Sequence, residues 1–262
     1  MIIDALPVWL LFLVTTALVV FTVEIGFRLG KIVRRRSAEE RESPVSAIAG
    51  AILGLLAFML AFTFSITSDR YDTKKALVRE EANVLRTAWQ RSDFLQEPDR
   101  AKTRTLLREY ADKRIAFAHS LDPGNAQVTV DDATRIQHEI WATAVHSAKT
   151  DPFMNSDIGA MYLESLNQIA DLHALRVNQG LQARVPSGIW FVLYALMVLG
   201  MIAVGYQTAI ADSRRSRVTV VLAVSFSLVI ALIAALDHPM SRFISIPQQP
   251  LLSLQTEMKN SP

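Results

Sequence analysis

The sequence predicts an all-α integral membrane protein with four transmembrane helices and an antiparallel helical bundle inserted between the second and third. Three observations predict this. Residues 5–25, 47–66, 188–207 and 218–236 each approach the roughly 20 apolar residues needed to cross a hydrocarbon core of about 30 Å. A fifth of the chain is charged, yet almost all of that charge lies outside these four stretches. Between the second and third, apolar residues recur at three- and four-residue intervals and strand alternation is missing. The expected organisation is residues 1–67 as spans one and two with an Arg-rich loop, 68–187 as an extramembrane bundle, 188–240 as spans three and four, and 241–262 as a C-terminal tail.

The first stretch lacks the flanks of a cleaved signal. Its only early charge is Asp4, and the basic residues follow the apolar run, so it reads as a retained helix. Orientation follows from two short loops. Arg28, Lys31, Arg34, Arg35, Arg36 and Arg41 follow span one, and Asp212-Ser213-Arg214-Arg215-Ser216-Arg217 joins spans three and four. Lys and Arg near helix ends are retained in the cytoplasm, so the termini and the polar block are expected on the opposite face, the periplasm of a bacterium.

The second span continues into water through Leu77, Val84, Leu85, Ala88, Trp89 and Leu95. A further helix is expected from near Pro98 through Leu106, Leu107, Tyr110, Phe117 and Leu121, ended by Asp122-Pro123-Gly124-Asn125. The next carries Ile136, Ile140, Trp141, Ala144 and Val145, with Asp131 and Asp132 placed in its first turn to favour the helix dipole. After Asp151-Pro152 a last helix shows Ile158, Met161, Tyr162, Leu166, Ile169, Leu172 and Leu175, and the chain reaches Pro186 before span three. One apolar stripe on each helix makes these a small bundle.

Catalytic chemistry finds little support. Cysteine is absent, which excludes disulfides, thiolate metal sites and cysteine nucleophiles. The five histidines, His119, His138, His146, His173 and His238, form no zinc or di-iron spacing and read as exposed or capping residues. No phosphate-binding glycine loop or Gly-x-Ser-x-Gly elbow occurs. Glu80 and Glu81 are adjacent on a helix and point about 100° apart, so they read as a solvated or ion-paired face. No enzyme, metal or cofactor is expected. The basic residues sit beside membrane spans, which disfavours nucleic acid and leaves the lipid bilayer and self-association as partners.

Span two carries the sharpest pattern. Ala47, Gly50, Gly54, Ala57 and Ala61 alternate three- and four-residue steps, so another helix can approach this face closely. Phe58 and Phe62 lie one turn apart and are candidates for a dewetting constriction in an oligomer. Thr63, Ser65, Thr67 and Ser68 make the far end polar. Intramembrane charge is nearly absent, which disfavours a proton-driven pump: Glu24 pairs with Arg28 at i,i+4 spacing, and Asp237 closes span four at the interface.

Taken together, Gly54-Leu55-Leu56-Ala57-Phe58-Met59-Leu60-Ala61-Phe62-Thr63-Phe64, Arg70-Tyr71-Asp72 and Glu80-Glu81-Ala82-Asn83 resemble the bestrophin-like family of bacterial membrane proteins. This four-span family has no settled function and is distantly similar to the bestrophin anion channels. Leu107-Arg108-Glu109-Tyr110 is similar to a family motif, and Asp237 to Pro239 with Gln248-Gln249-Pro250-Leu251-Leu252 is similar to its C-terminal signature. The resemblance marks Arg70, Tyr71, Asp72, Glu81, Asn83, Asp237, Pro239, Gln249 and Pro250 as motif residues. Bestrophins are pentameric anion channels with aromatic residues at a narrow neck, so it implies a homo-oligomeric anion channel of the inner membrane with Gly54, Phe58 and Phe62 at the neck. It also implies a cytosolic soluble region, the reverse of what the arginine loops predict. The alternative is a sensor or scaffold whose helical bundle binds a ligand or partner.

Overall fold

The computed structural model describes residues 6–36, 42–119, 123–179, 184–211, 218–238 and 244–260. All regular structure among them is helical: α1 Val8–Arg36, α2 Glu42–Arg91, α3 Asp99–His119, α4 Pro123–Thr150, α5 Asp157–Val177, α6 Ser187–Ile210, α7 Val218–Asp237 and α8 Gln249–Asn260. Short 3-10 turns occupy Ser92–Phe94 and Pro152–Asn155. Helices α1, α2, α6 and α7 each contain a stretch long and apolar enough to cross a membrane. With 50 residues, α2 is about 75 Å long, more than twice a hydrocarbon core. The chain divides into two compact units, Met1–Asp69 with Arg184–His238, and Arg70–Ala183 with Pro239–Pro262. Helix α2 contributes to both.

In the first unit α1 packs against α6 and α7. Glycine makes the α1–α6 approach possible. A Cβ on Gly26 would collide with the backbone of Ile202, one on Gly30 would lie 2.7 Å from the Tyr206 carbonyl oxygen, and one on Gly205 would strike the carbonyl of Val23. Gly26 and Gly30 are one turn apart, the spacing that lets membrane helices meet backbone to backbone. The core is closed by Leu11, Val19, Leu56, Leu193, Met197, Met201, Ile230 and Ile233. Several polar groups find partners locally. Thr15 Oγ1 and Tyr194 Oη share a 3.0 Å hydrogen bond, and Thr63 donates to the Met59 carbonyl at 2.7 Å. Glu24 pairs with Arg28 at 2.8 Å across one turn, the arrangement the spacing predicts.

One end of this unit is tied by polar contacts. Arg34 donates to the carbonyl of Ala209 at 3.2 Å, satisfying the C-terminal end of α6, and Gln207 donates to Ser46 at 3.0 Å. The C-terminal ends of α1 and α6 and the N-terminal end of α2 therefore lie at one level. Residues 212–217, the second arginine loop, lie outside the described residues.

The second unit is built from α3, α4, α5, α8 and the Arg70–Arg91 part of α2 around Val78, Leu85, Leu107, Tyr110, Ile136, Ile169, Leu251 and Leu254. The guanidinium groups of Arg104 and Arg108, one turn apart on α3, lie 4.8 and 4.7 Å from the Trp89 ring. Two local expectations differ from the structure. Helix α4 begins at Pro123, in the segment read as a terminator, because proline suits the first turn of a helix as well as it stops one. Asp131 and Asp132 therefore lie inside α4, where Asp132 pairs with Lys113 of α3. The chain end is not a plain tail: residues 249–260 form α8, which buries Leu251, Leu254 and Met258 at i,i+3 and i,i+4 spacing in the core of the second unit. Arg86 holds α8 through Glu257 at 2.9 Å, and Arg108 donates to the Met258 carbonyl at 3.0 Å.

Candidate functional site

Two features of the fold have the chemistry of sites, one in each unit. The first is a face of α2. Leu56, Leu60, Thr63 and Thr67 are buried within the unit, while Ala47, Gly50, Gly54, Ala57 and Ala61 point the other way and are exposed. A Cβ on Gly50 or Gly54 would meet nothing within 4 Å. Among the described residues, Gly50 and Gly54 thus make no close helix contact, a role taken by Gly26, Gly30 and Gly205. Phe58 and Phe62 flank the stripe, 65% and 55% exposed, with their rings stacked 6.5 Å apart at 13°. Only 17% of the α2 span is buried in the chain, against 28%, 33% and 39% for α1, α6 and α7.

The second feature is a polar cluster sealed in the second unit, to which four helices contribute. Glu81 of α2 is fully buried. Arg114 of α3 lies 2.8 Å from Glu81 Oε1 through Nε, and Arg176 of α5 meets Glu81 Oε2. Tyr110, one turn before Arg114, donates to the same carboxylate at 3.2 Å. His173 of α5 sits between Tyr110 Oη, 3.2 Å from Nδ1, and Thr134 Oγ1 of α4, 3.1 Å from Nε2. Arg114 Nη1 and Nη2 are buried without a hydrogen-bond acceptor among the described residues. The guanidinium also lies 5.5 Å from the Phe117 ring.

Burial sets the protonation of this cluster. Removal from water holds His173 down to about 4, and the Arg114 charge pushes in the same direction, so the imidazole is neutral at pH 7. Burial raises the Tyr110 phenol and keeps it protonated; the Arg114 charge opposes this more weakly. The same loss of solvent lowers Arg176 to about 10, still cationic at pH 7. One carboxylate thus faces two guanidinium ions.

The motif residues divide between these places. Glu81 and Tyr110, from two separated motif segments, meet in the cluster. Asn83 is exposed and accepts from Arg86 at 3.1 Å. Tyr71 donates to the Ser245 carbonyl at 3.3 Å, while Arg70 is half-buried and Asp72 exposed. In the first unit Asp237 Oδ1 accepts the Val185 backbone N–H at 2.9 Å and so ties the entrance of α6 to the end of α7. Gln249 and Pro250 open α8. Pro239 lies outside the described residues. Arg114, His173 and Arg176 were not singled out by the sequence. His173 is a correction, since it is buried instead of exposed or capping. The available signal was position: His173 and Arg176 follow Ile169 on one helical stripe, and Arg114 follows Leu107 and Tyr110.

Four span-length apolar helices joined to a polar helical unit define a polytopic α-helical membrane protein. The chain belongs to the Bestrophin-like domain family, whose profile matches residues 13–251. Solved structures agree in fold. A mutant of a bacterial bestrophin homologue from Klebsiella pneumoniae aligns at 12% identity with a TM-score of 0.65, covering 96% of this chain and 98% of that one. Another mutant of a homologue from the same organism gives 14% and 0.64 over 97% and 98%. A mutant described as a membrane protein gives 14% and 0.64 over 97% and 99%. A search of curated proteins finds no match.

Proposed function

We propose that the protein is a homo-oligomeric, anion-selective pore of the bacterial inner membrane, with α2 turned toward the oligomer axis. The observation that carries this reading is the uncovered face of α2. Lipid tails are as apolar as leucine, so a lipid-facing helix has no need of glycine and alanine, whereas close helix approach between subunits does. Gly50 and Gly54 have open space above them in the single chain, and a second copy supplies what would fill it. Phe58 and Phe62 then project beside that contact. A ring of such side chains closes a narrow passage by dewetting, and their exposure in the monomer is what a neck position requires. The family supports the same reading, being distantly similar to channels with an aromatic neck.

The helices within 68–187 form, in this reading, an antiparallel bundle outside the membrane. The arginines at the end of α1 and in the loop after α6 face the cytoplasm, so the termini and the bundle are periplasmic. Arg34 reaching the end of α6 fits one cytoplasmic level for both loops. The motif residues Arg70, Tyr71, Asp72, Asn83, Gln249 and Pro250 act structurally, joining α2 and α8 in the second unit, and Asp237 fixes the α6–α7 pair.

Reconstitution in liposomes tests the reading. The protein is expected to release trapped chloride faster than empty vesicles, and Phe58→Ala/Phe62→Ala to raise the rate several-fold without dissociating the oligomer. Unchanged flux in a folded double variant removes these residues from the neck. Tight vesicles holding folded protein shift the assignment to a sensor or scaffold.

A further inference from the structure

The charge of the buried cluster does not balance. Glu81 supplies one negative charge; Arg114 and Arg176 supply two positive ones. His173 is neutral and Tyr110 protonated, so neither changes the sum. Among the described residues no second carboxylate pairs with either guanidinium. A net positive charge in a water-excluded core is costly unless something neutralises it.

Geometry locates the imbalance. Arg176 directs Nη1 to Glu81 Oε2, and Arg114 pairs with the carboxylate through Nε at 2.8 Å. Among the described residues, Nη1 and Nη2 of Arg114 are left with no acceptor although the residue is 1% exposed. Those two nitrogens form the flat donor fork that arginine uses to hold anions. The surroundings limit what the fork can take. Arg114 is 1% exposed and its guanidinium has the Phe117 ring 5.5 Å away, so a bulky or extended ligand has no place there. A cleft of about 240 Å³ in this unit is lined by His138, Trp141, Leu166, Asn167 and Ile169, with neither Arg114 nor Glu81 among its lining residues.

We propose that Arg114 Nη1 and Nη2 bind a small monovalent anion, of the halide or nitrate class, which completes the Glu81–Arg114–Arg176 cluster. A single negative charge brings the buried total to zero, whereas sulfate would overshoot it and is larger. The site belongs to the second unit and does not depend on conduction: a chain that passes no ions would still bind its anion.

The test uses the full-length protein in detergent, exchanged into sodium gluconate and titrated with sodium bromide at constant ionic strength. The melting temperature is expected to rise with the logarithm of the bromide concentration once the Kd is passed, by about 3 °C at a concentration roughly ten times the Kd, with no such dependence for sulfate. Glu81→Gln removes the carboxylate that pairs with both guanidinium groups. It should lower the melting temperature in gluconate yet reduce the bromide Kd fitted from the titration by about tenfold, because both guanidinium groups then seek the anion. Arg114→Met should abolish the bromide response, and crystals soaked in bromide should show an anomalous peak beside the Arg114 fork. A melting temperature that is the same in gluconate and bromide overturns the proposal. So does a bromide response that Arg114→Met retains or that Glu81→Gln leaves unshifted. Should Arg114→Met fail to fold, the wild-type titration and the anomalous peak decide.

Discussion

Glu81 is the residue on which the second unit depends most. Its carboxylate is the one acceptor shared by Arg114, Arg176 and Tyr110, so deleting it strands two guanidinium ions in the core. Glu81→Ala is expected to destabilise the fold by about 3–5 kcal/mol, measured by chemical denaturation. His173 gives the unit a pH dependence with a definite sign. Its folded value of about 4 lies below the ordinary 6.5, so between these limits the unfolded chain binds more protons than the folded one. Stability from this group is complete above pH 6.5 and is lost as pH falls toward 4, on the order of 2–3 kcal/mol in all. In His173→Gln that part of the slope should vanish; a slope unchanged from wild type assigns the acid lability to other groups. At this scale the sequence was half legible. Glu81 and Tyr110 stood in recognisable motifs, but Arg114, His173 and Arg176 looked like ordinary solvent-facing residues, since a charged side chain on a helix is usually exposed and only the fold tells which stripe is covered.

Helices were far more legible than their contacts. A run of about twenty apolar residues allows one interpretation, and α1, α2, α6 and α7 contain those runs. Helix α8 escaped because its twelve residues are mostly polar and its apolar ones, Leu251, Leu254 and Met258, form a stripe too short to stand out from a tail. Small residues were ambiguous in another way. Spacing alone marks where a helix can approach closely, not which helix arrives, and the intrachain approach belongs to Gly26, Gly30 and Gly205. The two stripes therefore respond differently. Gly205→Val drives a side chain into the Val23 backbone, and is expected to lower the thermal stability of the monomer, by about 1–3 kcal/mol or more. A Cβ at Gly54 meets no described atom within 4 Å, so Gly54→Leu should leave the monomer folded while weakening self-association, read by cross-linking in membranes. Loss of monomer stability in Gly54→Leu with an intact oligomer would contradict this division.

At the scale of the molecule, the chain divides into a unit with the span-length apolar helices and a polar helical unit, and the long helix α2 contributes residues to both. The orientation rests on arginines at the end of α1 and after α6. A reporter inserted at Gly124 should behave as periplasmic, and cytoplasmic activity of that fusion reverses the topology. The absence of cysteine makes site-directed labelling free of background at every position. The central claim, an anion-selective pore bounded by α2, is tested most directly by the reversal potential of the purified oligomer in a planar bilayer under a potassium chloride gradient. The account predicts a current reversing near the chloride equilibrium potential, with Phe58→Ala/Phe62→Ala raising conductance and leaving the reversal unchanged. Reversal near the potassium potential, or silence from folded oligomer, would contradict it.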